Sequence, residues 1–158
     1  MKFVKKLLSG IKSKGKIMNI LITGYKGFIG RNLIEILKVN SSNNNLLLFD
    51  KNNNESELIE MCGKCDVIFH LAAVVRPTDP ADYSINTCLT TKLLNYLIEM
   101  KNMCPIMFAS SIQAVLDNPY AKCKRTEEQL ILDYGRRNNI AVYVFRFPNL
   151  FGRYSRPN

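Results

Sequence analysis

The sequence predicts an α/β domain, a doubly wound parallel sheet with helices on both faces, and three observations carry that reading. Short apolar runs alternate with helix-spaced segments along most of the chain. A glycine-rich turn joins the first apolar run directly to the first helical segment. Asp50 closes the second run, twenty residues past the last glycine of that turn.

The elements follow in order. Ile17–Ile22 is an apolar run suited to a strand buried on both faces. Thr23-Gly24-Tyr25-Lys26-Gly27-Phe28-Ile29-Gly30 turns the chain, and Phe28–Val39 has apolar residues at helical spacing. Ser41–Asn45 is a polar turn before a second strand, Leu46–Phe49. A helix over Glu55–Cys62 leads to a third strand over Asp66–Ala73, and a long helix over Asp82–Lys101 to a fourth, Ile106–Ala109. A helix over Pro119–Asn138 then precedes a fifth strand, Ile140–Phe145. Right-handed crossovers predict the strand order 3-2-1-4-5, with the ligand crevice at the carboxyl ends of strands 1 and 4.

The chain has 158 residues, 47% of them hydrophobic and 22% charged, which suits one globular domain and is too apolar for intrinsic disorder. No apolar run reaches the roughly 18–20 residues of a membrane span. The net charge of +9 is concentrated: six of the 22 Lys/Arg precede Met18, leaving 16 basic against 13 acidic residues after it. No basic run interleaved with aromatics follows, so no nucleic-acid partner is expected. Residues 1–16 read as a flexible basic leader. Phe3, Val4, Leu7, Leu8 and Ile11 share one helical face, and contact with an anionic membrane surface is the less favoured reading. Residues 17–158 form the domain.

Five cysteines, an odd number without a secretory cleavage site, point to reduced thiols in the cytoplasm. Cys62 and Cys65 have C-x-x-C spacing, but no second pair supplies a structural zinc site and the motif does not open a helix. Plain thiols and no metal are expected.

Gly24 permits a tight turn, Gly27 lets backbone approach a pyrophosphate at the helix N-terminus, and Gly30 lets the helix pack on the sheet. Asp50 suits the adenosine ribose hydroxyls and so favours NAD, whereas Lys26 and Lys51 could each pair with a 2′-phosphate. Tyr120 and Lys124, at i and i+4, share a helix face. A phenol of pKa about 10 is a poor acid at neutral pH, and a neighbouring ammonium is expected to lower that value. Ser111, just past strand 4, could hold a substrate carbonyl against Tyr120.

With these residues in view, the chain resembles the extended short-chain dehydrogenase/reductases, the NAD(P)-dependent nucleotide-sugar epimerases, dehydratases and reductases, over Ile17–Asn158. TGYKGFIG is similar to their cofactor loop, and His70-Leu71-Ala72-Ala73 to the segment lining the cofactor. Ser111, Tyr120 and Lys124 match the catalytic set. Asn86 matches a helix-start position, and Arg146-Phe-Pro-Asn149-Leu-Phe-Gly152 resembles a segment that holds the nucleotide-sugar. The resemblance implies a Rossmann-like fold. It also implies cofactor contacts from Gly24, Lys26, Gly27, Phe28, Ile29, Gly30, Asp50, Lys51, Leu71, Ala72, Ala73, Tyr120 and Lys124. Substrate contacts are expected from Asn86, Ser111, Arg146 and Asn149.

SSIQA, DNPY and RFPNLFGRYSRPN resemble more narrowly the capsule-biosynthesis reductases, which reduce the C4 ketone of a UDP-linked 6-deoxy-N-acetylhexosamine. That likeness implies NADPH, with NAD as the alternative. Ile112-Gln113 stands where the 4,6-dehydratases carry an Asp-Glu pair, which disfavours dehydration and leaves reduction or 4-epimerisation. A non-catalytic dinucleotide-binding module is the remaining alternative. The resemblance also leads us to expect the N-terminal part of a longer domain, truncated before the substrate lobe, and a homodimer in full-length form.

Overall fold

The computed structural model describes residues 17–40 and 43–155. The expectations for residues 1–16 lie outside them. Five strands make one parallel sheet: β1 (Asn19–Thr23), β2 (Asn45–Phe49), β3 (Val67–His70), β4 (Ile106–Ser111) and β5 (Val142–Phe147). Four helices connect them: α1 (Phe28–Asn40), α2 (Glu55–Lys64), α3 (Ser84–Glu99) and α4 (Pro119–Asn138). Short 3₁₀ turns at Pro80–Tyr83 and Ile112–Val115 precede α3 and α4.

The class is the predicted one, but the strand order is β2-β1-β3-β4-β5, not 3-2-1-4-5. β3 lies against the free edge of β1, with Ile20 opposite Val67 and Thr23 opposite His70. Burial explains the placement. All four residues of β3 are buried, as an interior strand requires, whereas β2 is mostly half-exposed and takes the edge. The chain leaves β1 toward one edge and returns past it to the other, so the switch point is between β1 and β3. The crevice therefore lies at the ends of β1 and β3, not β1 and β4.

Side-chain alternation splits the core into two layers. On one face Leu21, Phe49, Ile68, Ile106 and Phe108 pack against Leu58 and Cys62 of α2, Leu93 and Leu97 of α3, and Ile131 of α4. On the other, Ile20, Ile22, Val67, Phe69 and Met107 pack against Leu33 and Leu37 of α1. Truncating such a side chain to Ala costs about 2–5 kcal/mol.

Sequence also sets where the helices start. Asn54 caps α2 by accepting Glu57 N–H at 2.9 Å, while Glu57 accepts Asn54 N–H at 2.7 Å, a reciprocal capping box. Asn118 caps α4 by accepting Ala121 N–H at 2.8 Å, and Pro119 opens the helix. Asn139 then ends α4 in the left-handed region, at φ 53°.

The cysteines are free thiols. Cys62, Cys65, Cys104 and Cys123 are buried, and only Cys88, on α3, is exposed. Cys65 Sγ lies 3.6 Å from Cys104 Sγ. Among the described residues, no helix is long and apolar enough to cross a membrane.

Candidate active site

The glycine loop is built around a close approach. Gly24 sits at φ +71°, and a Cβ there would meet Ala72 Cα at 2.6 Å. Only glycine fits both the backbone conformation and the space. Gly30 was expected to admit the sheet. Its nearest atoms are instead Gly24 O and Tyr25 Cα, each 2.6 Å from an added Cβ, so Gly30 closes the loop on itself. The first helical bond of α1 runs from Arg31 N–H to Gly27 O at 3.0 Å, so the N–H groups of Phe28, Ile29 and Gly30 form its open first turn. No acidic side chain occupies that turn. This cradle, with Gly27 exposed beside it, fits a pyrophosphate.

Asp50, just past β2, is buried and ion-paired with Lys26 at 2.6 Å. Lys51 is exposed. Leu71 and Ala72 turn away after β3, each donating its N–H to Thr23 Oγ1 at 3.2 Å, and Ala73 follows them at the surface.

Ser111 ends β4 and Tyr120 lies at the start of α4. The two face one pocket of about 590 Å³, together with Phe28, Ile29 and Asn149. Ser111 Oγ accepts Gln113 N–H at 3.1 Å, which fixes the serine at the head of the 3₁₀ turn. The Tyr120 ring lies 5.7 Å from that of Tyr83. Burial pushes the Tyr120 phenol above its ordinary value, a hydrogen bond with Ser111 opposes the shift, and Glu127 contributes the largest charge effect, also upward. The expected lowering of this phenol is not found: it is raised, because burial and the Glu127 charge outweigh the Ser111 hydrogen bond. Lys124 is 1% exposed. Its ammonium is 3.0 Å from Glu127 Oε2 and 3.4 Å from Ala109 O, both acceptors.

Two predicted substrate residues have structural work. Asn86 is buried and bonds both backbone groups of Val74, accepting its N–H at 2.7 Å and donating to its carbonyl at 2.9 Å, which pins the loop after β3. Arg146 makes a two-armed bond to Glu128, at 2.9 and 2.7 Å, and so ties β5 to α4. Glu128 also accepts from Ser110. The sequence reading missed Arg76, Tyr83, Gln113 and Phe147, which line the pocket. It also missed Glu127, whose one sequence signal is its i+3 spacing from Lys124.

A doubly wound sheet with a glycine cradle at its switch point and a serine–tyrosine pair beside it defines a dinucleotide-dependent enzyme class. The chain matches the NAD dependent epimerase/dehydratase family over residues 20–158 and belongs to it. It is 38% identical over 142 residues to the UDP-2-acetamido-2,6-beta-L-arabino-hexul-4-ose reductase of Pseudomonas aeruginosa, covering 89% of this chain and 38% of that protein. The solved capsular polysaccharide assembling protein CapF of Staphylococcus aureus is also 38% identical, with a TM-score of 0.78 and the same coverage of 89% and 38%. A UDP-glucuronic acid 4-epimerase of Bacillus cereus, 21% identical, shares the fold at a TM-score of 0.75 over 89% of this chain and 60% of its own. The chain thus spans well under half the length of the reductase and of CapF.

Proposed function

We propose that this chain is the cofactor-binding and proton-donating part of an NAD(P)-dependent reductase. Its substrate is the C4 ketone of a UDP-linked 6-deoxy-N-acetylhexosamine, in capsule or O-antigen synthesis. One observation carries the reading: Ser111 and Tyr120 meet at a single pocket, in a chain 38% identical to a reductase of a UDP-linked hexulose.

The cofactor, when bound, supplies the hydride that reaches C4. Tyr120 gives its phenolic proton to the ketone oxygen, which becomes the alcohol, and Ser111 holds that oxygen by a hydrogen bond. Gly24, Gly27 and the first turn of α1 would hold the pyrophosphate, and Asp50 would take the adenosine ribose hydroxyls. Asn149 meets the sugar nucleotide from the β5 side. Lys26 supports NADPH over NADH, because it neutralises the carboxylate that would repel a 2′-phosphate. A cytoplasmic homodimer is part of the same proposal for the full-length protein.

A 4-epimerase would use the same serine and tyrosine, and cofactor turnover separates the two. Mixing the full-length form with NADPH and the UDP-linked 4-keto sugar should consume one NADPH per sugar reduced. An epimerase would interconvert UDP-sugars with no net loss of cofactor. A non-catalytic module would bind NADPH and do neither.

A further inference from the structure

Five polar side chains form a continuous row behind the pocket. Lys124 Nζ is 3.0 Å from Glu127 Oε2. Thr90 Oγ1 lies 2.9 Å from Glu127 Oε1 and 2.9 Å from His70 Nε2. His70 Nδ1 is 2.7 Å from Thr23 Oγ1, which in turn accepts the N–H groups of Leu71 and Ala72. None of the five side chains belongs to a residue more than 1% exposed.

Donor and acceptor chemistry fixes every proton in this row. A carboxylate only accepts, so the Thr90 hydroxyl spends its one proton on Glu127. Thr90 can then only accept from His70, which places the imidazole proton on Nε2. Nδ1 is left as an acceptor and takes the Thr23 proton. The Thr23 lone pairs then face Leu71 and Ala72. The row works only with a neutral ring, and burial together with the Lys124 charge holds the His70 pKa down to about 3.

We propose that Glu127 is the positioning residue for Lys124, and that its charge sets the direction of the row to Thr23. The lysine and the Leu71–Ala72 turn are thereby fixed as one unit. That turn is the surface against which Gly24 closes. The link from this row to reduction rests on the function proposed above, whereas the direction of the row does not. The other groups facing this unit are Cys123, whose thiol sulfur lies 3.7 Å from Glu127 Oε2 and 3.3 Å from the Tyr83 carbonyl, and the Phe108 ring, its centroid 4.8 Å from the Lys124 ammonium. Tyr120 completes the set through the charge of Glu127.

The chain has one histidine, so its imidazole signals need no assignment. In two-bond ¹⁵N–¹H spectra of the labelled chain, His70 should be the neutral Nε2–H tautomer throughout roughly pH 5–8. The Nδ1–H tautomer, an averaging mixture or an imidazolium in that range overturns the proposal, with no variant required. Glu127→Gln must turn its oxygen to Lys124, which only donates, and its NH₂ to Thr90. Thr90 then donates to His70, and the tautomer should switch to Nδ1–H, with Thr23 Oγ1 accepting from Nδ1 and the Leu71 N–H left on the Thr23 carbonyl, 3.2 Å away. An unchanged Nε2–H tautomer in folded Glu127→Gln protein shows that Glu127 does not set the direction. In the full-length form, the same substitution removes a negative charge that disfavours the Tyr120 phenolate. The basic limb of the pH–rate profile should move about one unit lower. A reduced rate with an unshifted limb makes Glu127 merely structural. Full-length wild-type protein without reductase activity refutes the proposed function, while the spectra still decide the row.

Discussion

Lys26 and Asp50 meet at 2.6 Å across the loops that follow β1 and β2, the acid nearly buried and the lysine side chain 48% exposed. The Lys26 contact, seconded by the Asn52 N–H at 2.9 Å, holds the Asp50 carboxyl below its ordinary range. Lys26 is raised in turn, chiefly by Asp50. The pair cancels the negative charge of the acid at the end of β2. Lys26→Met should therefore weaken NADPH binding about tenfold and leave NADH binding unchanged or tighter. Parallel titrations of the two cofactors check this. An unaltered preference means that the 2′-phosphate has another partner.

Gly24 and Gly27 should separate folding from binding. Gly24→Ala forces a Cβ to within 2.6 Å of Ala72 Cα at a positive φ, and should cost several kcal/mol in urea unfolding. The one close neighbour of a Cβ at Gly27 is Gly24 O, at 3.1 Å. Gly27→Val should therefore stay folded yet lose NADPH binding, because its side chain enters the pyrophosphate path. Tight binding by folded Gly27→Val protein would remove the pyrophosphate from this loop.

Tyr120→Phe in the full-length form should lower the reduction rate by about 10²–10⁴-fold and leave cofactor affinity intact. The hydroxyl supplies the proton, while the ring keeps its place beside Tyr83. Rates within a factor of ten of wild type would assign the proton to another group.

These residues differ in how readily the sequence shows them. The glycine turn, Ser111 and the Tyr120–Lys124 spacing are local patterns with a local meaning, so they could be read directly. Strand order is not local. The sequence shows that β3 exists but not which edge of β1 its crossover reaches, and the deciding signal was its unbroken Val67–Phe69 apolar run. Asn86 and Arg146 read as substrate contacts, and Glu127 and Glu128 are not singled out, because a polar residue carries no mark of the distant partner it will meet. Their partners lie 12 to 37 positions away, as with Asn86 and Val74 or Thr90 and Glu127.

Acid should loosen the β5–α4 connection. Burial alone would push the Glu128 carboxyl up, but Arg146 and Ser110 outweigh it and hold it below its ordinary value of 4.5. A lowered folded pKa means stability that is complete above the unfolded value and is lost as pH falls through the folded one. Glu128→Gln should cost about 1 kcal/mol at neutral pH, a figure kept small because the Arg146 side chain is 46% exposed. The gap in Tm between wild type and variant should close below about pH 4. A gap that persists in acid would mean that packing, not charge, holds the pair.

The burial of four cysteines makes the native chain a ready-made probe. The Cys62 thiol is pushed up to about 12 by burial and by Cys65, contact with Cys65 followed by burial raises Cys104, and burial raises Cys123. A maleimide dye at neutral pH should therefore attach once, at Cys88 on the outer side of α3. Lys92, one turn along the same helix, anchors to Glu55 of α2 at 2.9 Å. A fluorophore at Cys88 would report the α2–α3 contact in protein carrying no engineered residue.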